Sequence, residues 1–449
     1  MKFYKVLRTV TVLYLLVYLQ SCSCQRHENI RVLNVVNFGA IGNDNKDDTE
    51  AFQEALDYLD NSKITTLYVP KGTYLFSRTK VAGRAYCISL PSNCTIKGDG
   101  REKSILKLMP NQGNFTRLAY FDGKENLTLN NLSIDGNVSS QKKTKNKYNE
   151  HLAGLYINQS KNVIITNCQF LNTGGDGITI RGPKDKPTEN VTIDNVKFNN
   201  NFRNGITLGS GFEFIKITNC EFGSKIAASP IDSEPEHGRC SNVEIKKNTF
   251  IGKIGGTIVT LGGHITVDGY SISQNTFNNT CIFMVKAKNA LIEDNEFIIE
   301  STKRPVFSIL YYNEDISIKN NNIRTNVKLI HLTATKGGTP RGVKFESNNV
   351  SSSYVDGESI LLQGVSDISV RKNVFEFDGN PIQPFIKIKA NRDMSNLTVK
   401  NNKISGFSGK FVTIYRNKKW QVKSVIIKDN LMDNKVLPAQ IIPSNNYNE

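Results

Sequence analysis

Asn162-Val-Ile-Ile-Thr-Asn-Cys-Gln-Phe170 is matched without gaps by Asn126-Leu-Thr-Leu-Asn-Asn-Leu-Ser-Ile134, Asn190-Val-Thr-Ile-Asp-Asn-Val-Lys-Phe198 and Phe214-Ile-Lys-Ile-Thr-Asn-Cys-Glu-Phe222. Shorter copies follow at Asn242-Val-Glu-Ile-Lys-Lys-Asn248, Asp315-Ile-Ser-Ile-Lys-Asn-Asn321, Asp367-Ile-Ser-Val-Arg-Lys-Asn373 and Asn396-Leu-Thr-Val-Lys-Asn-Asn402. One asparagine of each copy serves as its anchor: Asn131, Asn167, Asn195, Asn219, Asn248, Asn275, Asn295, Asn321, Asn348, Asn373 and Asn402, recurring about every 25 residues. A period of that size means a stacked solenoid, in which each unit buries its apolar face only against its neighbours.

Within a copy, apolar and polar residues alternate as a half-buried strand requires. Val163 and Ile165 point to one side, Ile164 and Thr166 to the other. The anchor asparagine suits a sharp corner, because its side chain tolerates left-handed backbone and bonds nearby main chain. In register, such asparagines would form an internal ladder. Cys168, Val196 and Cys220 share one position on successive rungs, which reads as a small apolar slot in the core. No helical period accompanies the repeat. The expected fold is all-β, a right-handed parallel β-helix of about ten to twelve coils.

Ahead of the repeat, Lys2, Lys5 and Arg8 precede an apolar run from Val10 to Tyr18 that is too short to span a bilayer and reads as an export leader. It closes on Leu19-Gln-Ser-Cys22, similar to a bacterial lipoprotein box, so Cys22 is the expected lipidation site. The expected address is therefore periplasmic or cell-surface, with any membrane contact made through the lipid. Of eight cysteines, Cys168, Cys220 and Cys281 look like core residues, and Cys87 and Cys94 are near enough in sequence to bridge without being forced to. The formal charge of +16 points to an anionic partner. No nucleic-acid motif is present, and an exported protein meets acidic polysaccharide instead. Sequons at Asn93, Asn126, Asn190 and Asn396 fall at strand starts and follow from the repeat.

The most specific local signature is Asn34-Val-Val-Asn-Phe-Gly-Ala-Ile-Gly-Asn-Asp-Asn-Lys-Asp-Asp-Thr-Glu-Ala-Phe-Gln-Glu-Ala-Leu56: a strand, a Gly-bearing loop and a capped helix. Asp47 as N-cap with Glu50 three residues on would make a capping box. Phe52, Ala55, Leu56 and Leu59 give the helix one apolar face, fit to cover the open end of the first coil. The segment closely resembles the N-terminal motif of the pectate-lyase-like superfamily, and Leu67-Tyr-Val-Pro-Lys-Gly-Thr-Tyr74 looks like its next strand. The resemblance implies the β-helix fold and a groove along one parallel sheet in which extended glycans lie. It does not choose among hydrolases, lyases, uronate epimerases and tailspike depolymerases. The domains expected are a leader (1–21), a strand-and-capping-helix segment (22–90), the β-helix (91–435) and a tail (436–449).

Aligning Asp176-Gly-Ile-Thr-Ile180, Asn204-Gly-Ile-Thr-Leu208 and Ser229-Pro-Ile-Asp-Ser233 traces that sheet. Ile178, Ile206 and Ile231 face inward. Thr179, Thr207 and Asp232 face outward, followed two residues on by Arg181, Gly209 and Glu234. The third rung thus carries two carboxylates on one face, about 7 Å apart at Cα. The stretch Ile231-Asp-Ser-Glu-Pro-Glu-His-Gly-Arg239 breaks an otherwise monotonous repeat, and departures of this kind tend to be functional. Paired carboxylates suit glycoside hydrolysis, one protonating the leaving oxygen while the other attacks or activates water. Asp232, Glu234 and Asp176 are the catalytic candidates. Arg181, Glu236, His237, Arg239, His264 and Lys286 are the substrate-binding ones. The same oxygens suit Ca²⁺ as the alternative occupant, although no cofactor is required.

His331, Lys387, Lys389, Tyr415 and Arg416 extend the outward face along later rungs. The polygalacturonase branch of the superfamily is only echoed: Asn172-Thr-Gly-Gly-Asp176 is loose, no Asp-Asp pair follows in place, and Gly263-His264-Ile265 lacks the final glycine. The function expected is an exported glycoside hydrolase acting on an acidic glycan. The alternatives are a lyase or epimerase of the same fold, or a surface β-helix that only binds glycan. Whether the protein is a monomer or a trimer is left open by the repeat.

Overall fold

A computed structural model describes residues 32–442 apart from 81–82, 84, 114, 144–150, 380 and 417–418. The leader and its Cys22 lie outside the described residues. Three sheets of 16, 13 and 15 strands run the length of the molecule, and except for the first pair of the 16-stranded sheet and the last pair of the 15-stranded one, neighbours in each sheet lie three strands apart along the chain. That order is a solenoid. Each coil contributes one strand to the 13-stranded sheet, then one to the 16-stranded and one to the 15-stranded sheet, as in Ile178–Arg181, Thr188–Asp194 and Lys197–Asn199. These are called the groove sheet, the long sheet and the third sheet. The coils wind right-handed, the hand that twisted parallel strands favour. Thirteen coils exceed the ten to twelve expected, because strands from Val32–Asn34 to Tyr86–Ser89 already join all three sheets without carrying the repeat's asparagines.

The alternation expected of each rung is present. Val163 and Ile165 are fully buried, Ile164 is exposed and Thr166 is partly covered. Along the third sheet Phe170, Phe198, Phe222, Phe250, Phe277 and Phe297 stack inside the core, with ring centroids 4.6–5.7 Å apart. That spacing is the distance between hydrogen-bonded strands, so identical rings on successive rungs meet face to face.

The anchor asparagines fall into two columns, which the sequence alignment had merged. Asn131, Asn167, Asn195 and Asn219 sit at the turn itself with φ between 52° and 57°. The buried column lies one residue later and begins with Leu132, Cys168, Val196 and Cys220, an apolar slot as expected. From Asn248 it becomes polar: Asn248, Asn275, Asn295, Asn321, Asn348, Asn373, Asn402 and Asn430 are all buried, each amide donating to the next Oδ1 at 2.9–3.0 Å.

At the N-terminal end the helix Thr49–Asp60 buries Phe52, Ala55, Leu56 and Leu59 over the first coils. Its cap residue is Asp48, not Asp47. The Asp48 carboxylate faces inward instead, accepting from the backbone of Ile41 and Leu75, while Asp47 accepts from the Thr49 amide. Asp48 thereby ties the Gly-bearing loop to the third sheet's first strand, and Asp47 ties the start of the helix to Ser77 just past that strand. At the far end Gln440–Ile442 pairs antiparallel with Val425–Lys428 and closes the long sheet. Cys87 and Cys94 are buried free thiols. No described helix is long and apolar enough to cross a membrane.

Candidate functional site

The register expected on the groove sheet is the one found. Thr179 lies beside Thr207 and Thr207 beside Asp232. A cleft of about 330 Å³ opens over these rungs, lined by Arg117, Tyr156, Asp176, Arg181, Arg203 and Glu234, with Glu236, His151 and His264 at its margins.

Asp176 stands two residues ahead of the strand Ile178–Arg181 and is 3% exposed. Its carboxylate accepts from Arg203 Nη1 at 3.1 and 2.9 Å, from the Thr179 hydroxyl at 3.1 Å and from the Asn204 amide at 3.3 Å. Burial outweighs the pull of Arg203 and pushes this carboxyl up to about 6. Arg203 stands at the next corner, just ahead of the strand Asn204–Leu208. Its other terminal nitrogen, Nη2, donates to Glu234 Oε2 at 2.5 Å, so one guanidinium holds two carboxylates from two different coils. Among the described residues no three His, Cys, Asp or Glu side chains converge on a cation site. The positive charge between the acids is the protein's own.

The remaining walls are cationic and aromatic. Arg117 lies 4.0 Å over the Tyr156 ring, and its buried Nε has no hydrogen-bond partner. Burial holds its charge below the ordinary range. Tyr156 continues a row of stacked rings with Tyr120 and Tyr86, centroids 5.3 and 5.1 Å apart. Arg181 lies over Gly209, where a Cβ would sit 3.1 Å from the arginine's own Cβ. Glycine there leaves the space the arginine occupies.

The family profile described as Rhamnogalacturonase A/epimerase, pectate lyase-like matches residues 32–131, the N-terminal coils and capping helix. An uncharacterized protein YclG of Bacillus subtilis is 23% identical over 89% of this chain and 70% of its own length. The preneck appendage protein of Bacillus phage PZA is 26% identical over 54% of this chain, which spans only 29% of that protein. Among solved structures, the A-module of the Azotobacter vinelandii mannuronan C-5 epimerase AlgE6 superposes with a TM-score of 0.55 at 16% identity, over 91% of this chain and 100% of that one. The catalytic unit of a GH87 α-1,3-glucanase from Streptomyces thermodiastaticus gives 0.54 at 13% identity, over 90% and 68%. The chain folds as a parallel β-helix, and its N-terminal coils match a pectate-lyase-like profile.

Within this β-helix protein the cleft gathers Asp176, Glu234, Arg181, Glu236 and His264 from the residues singled out by sequence. It does not gather the others. Asp232 lies on the expected outward row but outside the cleft lining, where its carboxylate accepts from the Asn204 amide at 3.1 Å. Past Glu236 the chain leaves the groove for the long-sheet strand Cys240–Lys246. His237 and Arg239 go with it, and Arg239 pairs with Glu213 on that sheet's neighbouring strand Phe212–Thr218. Lys286 is half-buried and donates to the His264 carbonyl. The pair that shares a partner is therefore Asp176 with Glu234, rather than Asp232 with Glu234.

Sequence reasoning missed Arg203, Arg117, Tyr156 and His151. Arg203 had one available signal. It occupies the corner position one residue before Asn204, where the preceding coil has Gly175 and the following coil Ala228. A long cation replacing two small residues next to Asp176 is the same kind of departure from the repeat that drew attention to Glu234.

Proposed function

We propose that this β-helix protein is an exported glycan-active enzyme, a glycoside hydrolase that works on a carboxylated polysaccharide in the groove-sheet cleft. The observation that carries this reading is the Asp176–Arg203–Glu234 arrangement. It puts two carboxylates with different environments in one concave site. A carboxyl held up to about 6 keeps its proton in mildly acidic conditions and can deliver it to the glycosidic oxygen as the bond to the anomeric carbon breaks. Glu234 is the more open of the two, with its side chain 40% exposed. It serves as the partner that attacks the anomeric carbon or takes a proton from the attacking water.

Arg203 fixes the separation of the two carboxylates and neutralises part of their mutual repulsion. Arg181 and Arg117 are placed to receive a sugar carboxylate, since a planar guanidinium matches that geometry. Stated at the level of the known relatives, the epimerase and the glucanase named above are polysaccharide-active proteins of the same fold, which supports a glycan but leaves the bond chemistry to the site.

Asp176→Asn and Glu234→Gln, each assayed on polygalacturonate, alginate and neutral glucans by reducing-end release, test the reading. Each substitution is expected to lower turnover by at least about 100-fold, the usual contribution of a positioned acid or base, while melting temperature shows that the coils remain folded. Cleavage that survives in both variants would sink the assignment. Product absorbing in the ultraviolet, from an unsaturated sugar end, would replace hydrolysis with elimination.

A further inference from the structure

Cations on this molecule are treated differently on two of its faces. On the outer face of the long sheet they are neutralised from rung to rung: Lys161 by Glu189, Lys216 by Glu244, Lys288 by Glu314, Lys319 by Glu293 and Arg371 by Glu346. The distal end of the groove sheet keeps a surplus. Lys387 and Lys389 stand two residues apart on the strand Ile386–Lys389, which puts both on the outer face of that sheet. The next rung adds Tyr415 beside Lys389 in register, a residue 48% exposed.

Lys387 is held in place. Its ammonium lies 3.9 Å from Glu358 and 5.1 Å from the Tyr415 ring centroid. Glu358 is already engaged by Lys328 at 2.6 Å, so one carboxylate faces two lysines. Lys389 is exposed and has no ion-pair partner among the described residues. The patch is thus one restrained and one free cation beside an open aromatic ring. A pre-positioned lysine loses less freedom on binding than a free one, and an ammonium next to an aromatic face suits a carboxylated sugar ring.

Register relates this patch to the cleft. From Asp232 the outward row runs through Thr260, Phe283, Ser308, His331 and Leu361 to Lys387. The parallel row reaches Lys389 through Leu310, Thr333 and Gln363. Neither row carries an acid between cleft and patch. Six rungs at the strand spacing amount to about 29 Å, and one rung is close to the length of one pyranose in an extended chain.

We propose that Lys387, Lys389 and Tyr415 form a distal subsite that grips a carboxylated sugar about six residues away from the cleft, so that the groove selects long acidic chains over short ones. The subsite rests on the glycan reading of the cleft, but its binding is measured separately from cleavage. In native gels cast with polygalacturonate, alginate or neutral dextran, the full-length protein is expected to be retarded by one or both acidic polymers and not by dextran. The double variant Lys387→Gln/Lys389→Gln is expected to bind them roughly three- to tenfold more weakly, the loss fitting two solvent-screened contacts. Its KM for the acidic polymer should rise by a similar factor, with KM for tri- and tetrasaccharides unchanged.

Equal retardation of wild type and double variant, retardation by dextran alone, or no retardation at all would overturn the subsite. The hydrolase reading fails differently, by cleavage persisting in both Asp176→Asn and Glu234→Gln, and that result leaves the gel comparison intact.

Discussion

Asp176 is the acid to which the proposed hydrolase mechanism gives the proton, and its environment has a consequence for stability. Burial raises its carboxyl from the ordinary 3.8 to about 6, so the folded chain holds this proton more tightly than the unfolded chain does. Proton binding therefore favours the fold. That contribution is complete below about pH 4 and is lost as pH rises through 6, an effect of about 2 to 3 kcal/mol. Asparagine mimics the protonated side chain, so the stability difference between wild type and Asp176→Asn should drift in favour of the variant over that interval. Denaturant midpoints taken every half pH unit measure it, and a difference independent of pH would show that the carboxyl titrates normally. The same proton sets an expected fall of kcat/KM above pH 6. Phe214 presents a second case at this scale. It has φ of 57° and is 54% exposed, in a column where Asn162, Asn190 and Asn242 adopt the same left-handed backbone. Asparagine tolerates that conformation and phenylalanine pays about 1 kcal/mol for it. Phe214→Asn should raise the melting temperature by a few degrees; an unchanged or lower value would mean that the ring makes compensating contacts.

At the scale of the element, the buried asparagine column shows how a polar residue can hold a core together. Asn321 donates to Asn348 Oδ1 and to the carbonyls of Ile292 and Lys319, and accepts from both the backbone and the side chain of Asn295. Every polar atom has a partner, which is the condition under which such a network stabilises. Asn321→Ala would leave the Asn295 backbone N–H without its acceptor and remove one donor each from Asn348 Oδ1 and from the Ile292 and Lys319 carbonyls, at an expected cost of about 2 to 4 kcal/mol. Denaturation followed by tryptophan fluorescence and by circular dichroism would register it, and a loss below about 0.5 kcal/mol would argue that water replaces the missing amide. This column also marks a limit of sequence reading. Turn asparagines and ladder asparagines occupy adjacent positions with the same residue type, so composition cannot separate them. The distinction lies in the offset from the strand, six residues from Asn162 to Cys168 and six from Asn242 to Asn248, whereas Asn167 falls one short of that position. The Cys168, Val196 and Cys220 slot was the correct guide, because only a buried column would hold such residues.

At the scale of the molecule, the repeat made the solenoid, the groove sheet and its register legible from sequence, down to Thr179, Thr207 and Asp232 in one row. These properties are periodic, and each rung pairs with a near copy of itself. The cap helix was legible for the same local reason, as a run of apolar residues at helical spacing, while its cap residue was misplaced by one because Asp47 and Asp48 are adjacent and alike, and Asp48 turns its carboxylate to Ile41 and Leu75 rather than to the helix. The candidate site was half legible. Glu234 and Asp176 stood out as departures from the repeat, while Arg203 was passed over because it stands in the corner ahead of the strand, where Gly175 and Ala228 hold the same place on the neighbouring coils and only the strands themselves were compared. Arg203 meets its two acids across 27 and 31 residues of chain. The sequence by itself determined the coil, the inward and outward faces and the row on which any outward residue must lie, since strand alternation and stacking are local and repeated. Only the tertiary structure decided that Asp176 pairs with Glu234 while Asp232 turns to Asn204 and Arg239 leaves the groove. Those choices are made by side chains reaching between neighbouring coils, where direction and burial, rather than position in the repeat, select the partner.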